Sequence, residues 1–269
     1  MKANESIMKE FKTILIEKGG DIATIWFNRP EIHNAFNETM ISDLLEAFDL
    51  LGSDDTVKAI IIRGKGKSFC AGADLNWMRG VAGYGYEQNY AESLNLSKCF
   101  YAIYTCPKPT IAIVHGAAIG GANGLLASCD FAYAADDTTF SLSEVKIGII
   151  PACISPYVAK RVGEFPAREL MLSGKRFKGP EAEYHKLVNK SMPFEDLDTF
   201  VNEMIGHLRT SGPKAMSMCK SLLFDLHNNW NMDEALIKTA EMIADIRASD
   251  EGQEGMAAFL EKRKPNWVK

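Results

Sequence analysis

The feature that most narrows what this chain can fold into is a layout used twice: an apolar β-branched run, a turn of small residues, then a helix start. The first copy runs from residues 57–63 (VKAIIIR) through Gly64-Lys65-Gly66-Lys67-Ser68-Phe69-Cys70-Ala71-Gly72-Ala73-Asp74-Leu75. The second runs from residues 109–114 (PTIAIV) through His115-Gly116-Ala117-Ala118-Ile119-Gly120-Gly121-Ala122-Asn123-Gly124, with a helix expected over 121–129 and a strand again over 130–134. Short apolar runs bounded by turn signals mark strands buried on both faces, which implies a sheet covered by helices. Small residues at such turns let a ligand approach the backbone closely. A helix start presents N–H groups that lack internal partners and favours negative charge. Two such groups aimed at one spot would stabilise an oxygen that gains charge during a reaction. Each loop taken singly is more simply read as glycines that permit close helix–strand packing.

The flanking sequence is consistent with a single α/β domain. Residues 13–17 (TILIE) and 22–27 (IATIWF), split by Gly19-Gly20-Asp21, predict a hairpin. Asn28-Arg29-Pro30 ends the second run, because the residue before proline is pushed out of helical geometry. Asn37 is placed to cap a helix reaching about Leu51, with Met40, Ile41, Leu44, Leu45, Phe48 and Leu51 at helical spacing. From Ser155 onward the pattern is read as helical. Met232, Leu236, Thr239, Ile243 and Ile246 form one stripe, and 250–264 sets Met256, Phe259 and Leu260 against a polar back. Such stripes serve core packing or subunit contact. No linker, low-complexity tract or solenoid-length repeat divides the chain, so the strand-to-helix shift predicts one domain with a helical tail.

Composition removes several classes of function. A formal net charge of −5 opposes non-specific nucleic-acid binding, although local lysines and arginines can still hold an anionic small molecule. The longest apolar tract, 110–135, is interrupted by His115, Asn123, Asp130 and four glycines, so it predicts a buried strand–turn–helix and no membrane span. Cys70, Cys99, Cys106, Cys129, Cys153 and Cys219 show no C-x-x-C pair or zinc spacing, which points to free thiols in a reducing, cytoplasmic setting. The opening MKANESIMKEFKTILIEKGG has no apolar core or cleavage site of a secretory signal. The glycines of the second loop do not fit G-x-G-x-x-G, and neither loop gives a Walker pattern. No cluster of His, Cys and carboxylates suggests a metal, and no His-paired arrangement activates Cys153.

Five motifs in order, NRPEIHNAF (28–36), SFCAGADL (68–75), HGAAIGGANGLLASCD (115–130), SLSEVKIGIIP (141–151) and EGMAAFLEKRKPNW (254–267), together resemble the enoyl-CoA hydratase/isomerase (crotonase) superfamily. The acid-bearing stretch and ISPYV (154–158) are most similar to bacterial methylglutaconyl-CoA hydratase-like members. The resemblance implies an α/β fold, a crotonase-type spiral of ββα turns (1–200) with a C-terminal helical trimerisation region (201–269), assembled as a homotrimer or homohexamer. It implies an acyl-CoA substrate, with coenzyme A belonging to the substrate and no separate cofactor. It places the two oxyanion donors on the N–H groups of Ala73 and Gly121, and the main proton-transfer group on Glu144. The adenine portion would lie against Ala71, Ala73, Asp74, Leu75 and Asn76, mostly through main-chain groups. Lys65 and Lys67 flank that loop and could offset phosphate charge, though exposed loop lysines are commonly solubility residues.

Family hydratases usually carry two glutamates. One falls on Glu144; the other falls on Gly124, where this chain has no side chain. Hydration needs a base to activate water and an acid to protonate the carbon next to the carbonyl, work that two carboxylates divide easily. Glu144 alone must either serve both transfers through one water or run a reaction with one shuttle, such as double-bond isomerisation. Gly124 is also expected to leave room for a branched acyl group, or for a substrate carboxylate that orients water. The first reading is therefore hydration of a short or branched enoyl-CoA, 3-methylglutaconyl-CoA being one candidate. Isomerisation and a non-catalytic acyl-CoA-binding protein are the alternatives. Without the motif, Glu144 would read as a solvated helix-start acid. Asn123 and Ser143 are candidates to position water, His115 a weaker base, His33 a nucleotide neighbour and Cys153 a pocket wall.

Overall fold

The chain opens with an antiparallel meander of β1 (Ser6–Glu10), β2 (Ile14–Gly19) and β3 (Ile22–Phe27), and Gly20 turns between β2 and β3 at φ +66°. After a 3-10 turn at Pro30–Ile32 come α1 (Glu38–Ser53), β4 (Ala59–Gly64), α2 (Leu75–Val81), α3 (Tyr86–Tyr104), β5 (Thr110–Val114), β6 (Ala117–Ile119), α4 (Ala122–Ala127), β7 (Phe131–Ala135) and β8 (Thr139–Ser141). Then follow α5 (Ser155–Val162), α6 (Glu164–Ser173), β9 (Phe177–Lys178), α7 (Gly179–Tyr184), β10 (Lys190–Met192), α8 (Leu197–Thr210), α9 (Pro213–Asn228), α10 (Met232–Ala248) and α11 (Asp250–Leu260). This computed structural model describes residues 6–268. The expectations for a leader and for the outer ends of segments 1–200 and 201–269 fall partly on residues 1–5 and 269, which lie outside the described residues.

Two sheets carry the architecture: β1-β2-β3-β4-β5-β7-β10, and a small β6-β8-β9. From β3 onward the large sheet is parallel, with Ile62 beside Ala112 and Ala112 beside Ala132. Each turn of the spiral crosses from a strand of the large sheet to an extended piece at the small one and returns through helix. Cys70 bridges Ala118 after β4, β6 follows β5, and β8 follows β7.

Strand alternation sorts the side chains into two cores. Ile25, Phe27, Ile60, Ile62, Ala112, Val114 and Ala132 face a core completed by α1, α3 and α4, including Met40, Leu44, Phe100 and Leu126. Ile22, Ala59, Ile61, Ile111, Ile113 and Tyr133 face the other side, where Leu197, Val201 and Ile205 of α8 cover them. Asn37 caps α1 by accepting from the Met40 N–H at 3.0 Å, as its sequence position requires. The residue-200 boundary falls inside α8.

One expectation is corrected and another is narrowed. The region after Ser155 is not purely helical: β9 joins the small sheet and β10 extends the large one, parallel to β7. Both are two or three residues long, too short for a period to be read. Of the two uses open to the Met232–Ile246 stripe, packing in this chain's own core is removed and subunit contact stays open, because α10 buries Ala235 while Met232, Leu236 and Ile243 are exposed.

Candidate active site

The loop after β4 is stitched on both sides. The Phe69 N–H donates to His115 O, Cys70 N–H to Ala117 O and Ile119 N–H to Cys70 O, at 2.8, 3.0 and 3.2 Å. On the other side the Ala71 N–H donates to His33 O at 3.0 Å, the Phe36 N–H to Gly72 O at 2.9 Å and the Asp74 N–H to Phe36 O at 2.9 Å. The buried Asn34 amide donates to Lys65 O and Ser68 O at 2.8 and 2.7 Å, holding the first half of the loop. Gly116 must be glycine, since at φ +67° a Cβ would stand 1.9 Å from Lys67 O. The parallel bridge between Phe36 and Ala73 uses the peptide groups of Gly72 and Asp74. The Ala73 N–H therefore points away from Phe36, and it donates to no acceptor among the described residues.

The second turn sits directly against the first. Gly72 packs so closely that a Cβ would lie 2.9 Å from Ile119 O. Gly120 turns at φ +55° and donates its N–H to Ser141 O at 2.8 Å, after which Gly121 caps α4. The Gly124 N–H donates back to Gly121 O at 2.9 Å, but the N–H of Gly121 has no acceptor among the described residues. The Phe36 ring occupies the side-chain space of Gly121, its Cζ 2.4 Å from where a Cβ would be.

Glu144 enters from the strand that Gly120 is bonded to. β8 ends at Ser141, and Glu144 begins a 3-10 turn, Glu144–Ile147, two residues past Leu142. Its Oε1 lies 3.3 Å from the Cβ position of Gly120, and its Oε2 is buried without a hydrogen-bond partner. Burial pushes this carboxyl above the ordinary glutamate value, opposed by its own backbone N–H. A desolvated carboxylate with a bare oxygen is suited to take a proton and give it back.

A match to the family model for enoyl-CoA hydratase/isomerase over residues 17–269 decides the family. The chain belongs to the enoyl-CoA hydratase/isomerase family. Crotonyl-CoA hydratase of Syntrophomonas wolfei is 32% identical over 260 residues, spanning 96% of this chain and 98% of that one. The crystal structure of an enoyl-CoA hydratase from Shewanella pealeana matches with a TM-score of 0.92 and 39% identity, over 96% of this chain and 97% of that one. AtuE of Pseudomonas aeruginosa matches with a TM-score of 0.93 and 33% identity, over 96% and 100%.

In this enoyl-CoA hydratase/isomerase chain the space at Gly124 is not free, which corrects the expectation of room there. A Cβ on Gly124 would stand 2.4 Å from Ile154 Cγ2 and 2.9 Å from two carbons of the Phe100 ring, and all three residues are buried. The Asn123 amide is engaged by main-chain carbonyls. It is fully buried, and its Nδ2 lies 3.2, 3.0 and 2.9 Å from Ala118 O, Gly120 O and Ser141 O, while Oδ1 has no partner. Three carbonyls around one end fix the amide orientation. Asn123 thus ties the Gly120 turn to the strand leading to Glu144 through Nδ2.

The remaining candidates sort by what already occupies them. The Asp74 carboxylate is used internally, paired with Arg29 at 2.7 Å and accepting from the Asn76 N–H at 2.8 Å. Ala71 and Ala73 are half-buried, and Leu75 and Asn76 are exposed along the same edge. Lys65 turns outward onto Trp26, 3.8 Å from the ring centroid and 3.2 Å from Glu17, while Lys67 is exposed. His33 lies beside the loop, its Nδ1 3.1 Å from Ser68 Oγ. His115 donates Nε2–H to Gly66 O at 2.9 Å and burial lowers its pKa, so it braces the loop as a neutral ring. Cys153 contacts Ser93 O at 3.6 Å, and Ser143 precedes Glu144 as the cap residue of its turn. Burial pushes Cys70, Cys99 and Cys129 up to about 12, leaving them as small apolar groups. Among the described residues, Glu169, Glu181 and His185 have metal-ligand spacing, but Lys175 stands between the two glutamates at 2.6 and 2.7 Å. The 28–36 motif holds the site in ways its residues do not announce: Arg29 pairs with Asp74, the Asn34 amide holds the loop, and Phe36 meets the first turn with its main chain and the second with its ring.

Proposed function

We propose that this chain is a hydratase of short or branched enoyl-CoA thioesters, working through Glu144 and the N–H groups of Ala73 and Gly121. The observation that carries the reading is Glu144, its Oε2 buried and bare and its Oε1 beside a glycine turn whose Gly121 N–H has no acceptor among the described residues. As water adds to the carbon two bonds from the carbonyl, Glu144 takes its proton and the electron pair moves onto the thioester oxygen. The two N–H groups hold that oxyanion in a desolvated place, where such donors are worth most. The enolate collapses as the same carboxyl returns the proton to the neighbouring carbon. One water is consumed, its hydrogen and hydroxyl both ending on the acyl chain. Coenzyme A enters as part of the substrate, its adenine along Ala71, Ala73, Asp74, Leu75 and Asn76. Asp74 contributes there through its main-chain carbonyl, since its carboxylate is held by Arg29 and its N–H by Phe36 O.

The finer substrate, 3-methylglutaconyl-CoA, is supported by the likeness of residues 154–158 and the acid-bearing stretch, and draws no support from Gly124. One observation favours a second reading. Phe100 and Ile154 fill the place of a second carboxylate, and a site with one shuttle suits double-bond isomerisation equally well. Incubation of purified protein with crotonyl-, 3-methylglutaconyl- and 3-enoyl-CoA in ¹⁸O-labelled water separates the readings. Hydration incorporates the label, isomerisation shifts the double bond without it, and tight binding with no product supports the non-catalytic alternative. Absence of label from every product sinks the hydratase.

The exposed apolar residues of α10 and α11 support a homotrimer or homohexamer. Free cysteines and the lack, among the described residues, of any helix long and apolar enough to cross a membrane are compatible with a cytoplasmic setting.

A further inference from the structure

We infer that Phe36 is a positioning residue that sets the separation of the two oxyanion donors, an assignment that rests on the proposed use of the Ala73 and Gly121 N–H groups. Phe36 touches both turns through different parts of itself. Its peptide groups bond to Gly72 O and the Asp74 N–H at 2.9 Å each, which turns the Ala73 N–H outward. Its ring lies on the Cα of Gly121, where a Cβ would meet Cζ at 2.4 Å and Cε1 at 2.7 Å. The first donor is fixed to the main chain of this residue and the second rests on the tip of its side chain. The distance from backbone to Cζ in one rotamer therefore spaces them.

The residue is itself immobilised. Arg29 donates to Ala35 O at 2.6 Å and pairs with Asp74, while Asn37 on the other side caps α1. Trp77 packs on the ring, centroid to centroid 5.7 Å and tilted by 59°. The residue is 5% exposed, with Ile41, Leu44 and Phe100 close by. Phe36 would touch neither water nor reacting carbons; it acts through Ala73 and Gly121. Donors aimed at a developing oxyanion lose their effect steeply with displacement, and a misplacement of about 1 Å costs on the order of 100-fold in rate.

The test compares wild type with Phe36→Leu and Phe36→Ala, reading kcat, KM and the absorption of a bound 2,4-dienoyl-CoA, which moves to the red as its thioester oxygen is polarised. Phe36→Leu keeps an apolar group but loses the reach of Cζ. It is expected to lose about tenfold in kcat with KM changed less than about threefold, and Phe36→Ala about 100-fold, the red shift shrinking in the same order. If Phe36→Ala fails to fold, Phe36→Leu decides alone. A folded variant with full kcat and the full red shift overturns the inference, as does one whose kcat falls while the red shift stays whole. A wild type without turnover or red shift overturns the proposed function beneath it, a result distinct from either of those.

Discussion

Ile154 stands in the side-chain space of Gly124: its Cγ2 lies 2.4 Å from the point where a Cβ would be, with the Phe100 ring closing the same space at 2.9 Å. The place where family hydratases usually carry a second carboxylate is thus filled with hydrocarbon. Restoring that acid is expected to fail. Gly124→Ala overpacks a buried helix contact at about 1–3 kcal/mol, against a gain of about 0.5–1 kcal/mol from replacing a helical glycine. Gly124→Glu adds a charge with no partner and lowers the melting temperature further, without raising the hydration rate. Thermal melts and crotonyl-CoA turnover of both variants check this; a stable, faster Gly124→Glu enzyme would refute it.

Glu144→Gln removes the proton shuttle and leaves the shape. The expected loss is about 10²–10⁴-fold in kcat, the usual range for one general acid–base group, with acyl-CoA binding retained. In wild type, kcat should fall on the acid side with a midpoint above the 4.5 of a free glutamate, because burial raises this carboxyl. Steady-state rates between pH 4 and pH 9 give the profile, and an acid limb surviving in Glu144→Gln would assign it to another group.

The same burial predicts a stability effect of opposite sign to the activity loss. With the folded pKa above the unfolded one, the folded state holds the proton more tightly. Below both values Glu144 is neutral in either state and contributes no penalty. As pH rises through the window the folded state must carry a desolvated charge, and stability falls. Glu144→Gln should therefore melt higher than wild type at pH 8, and the difference should vanish near pH 4. Equal differences at both pH values would contradict the assignment of Oε2 as bare and buried.

What could be read from the residues alone divides along physical lines. The β2–β3 hairpin, the two-face burial of β4 and β5 and the Asn37 cap were legible because period, turn chemistry and capping act within a few residues. The glycine turns were legible as turns, and Glu144 as an acid placed by a motif. The occupant of the Gly124 space was not, since Phe100 and Ile154 approach it from α3 and from the start of α5, far away in sequence. Asn123 looked like a polar group beside a pocket. Only the fold brings Ser141 O and Ala118 O to the same amide and turns it inward. β9 and β10 carry too few residues for any pattern, and exist because neighbours offer them an edge.

Asn123→Asp tests the tie between the Gly120 turn and the Glu144 strand. It replaces an NH₂ group by an oxygen facing three carbonyls, in a residue with no solvent exposure. A buried charge without compensation costs about 3–5 kcal/mol, so urea unfolding at pH 7 should show a loss of that order. At low pH the protonated acid can donate one hydrogen bond, and part of the loss should return. A variant as stable as wild type at pH 7 would mean the amide is not a brace.

The helical end of the chain gives the last expectation. Along α10 and α11 the apolar residues read from the sequence point outward: Leu236 is 74% and Phe259 83% exposed, with Met232, Ile243, Met256 and Leu260 also exposed. Exposed apolar side chains in this number mark an interaction surface when they adjoin, and burying one side chain of leucine or phenylalanine size is worth about 1.5–3 kcal/mol. Neither helix spends these residues on its own core, since α10 buries Ala235 and α11 buries Ala258. Covering the face with a second copy would stabilise the protein, and closed symmetry is the common way identical chains meet. Sedimentation at micromolar concentration is expected to give three or six copies. The double variant Leu236→Glu with Phe259→Glu should shift the mass toward smaller species by placing charges where apolar surface must meet. A wild type that sediments as a monomer, or a double variant with unchanged mass, would assign the stripe to something other than self-assembly.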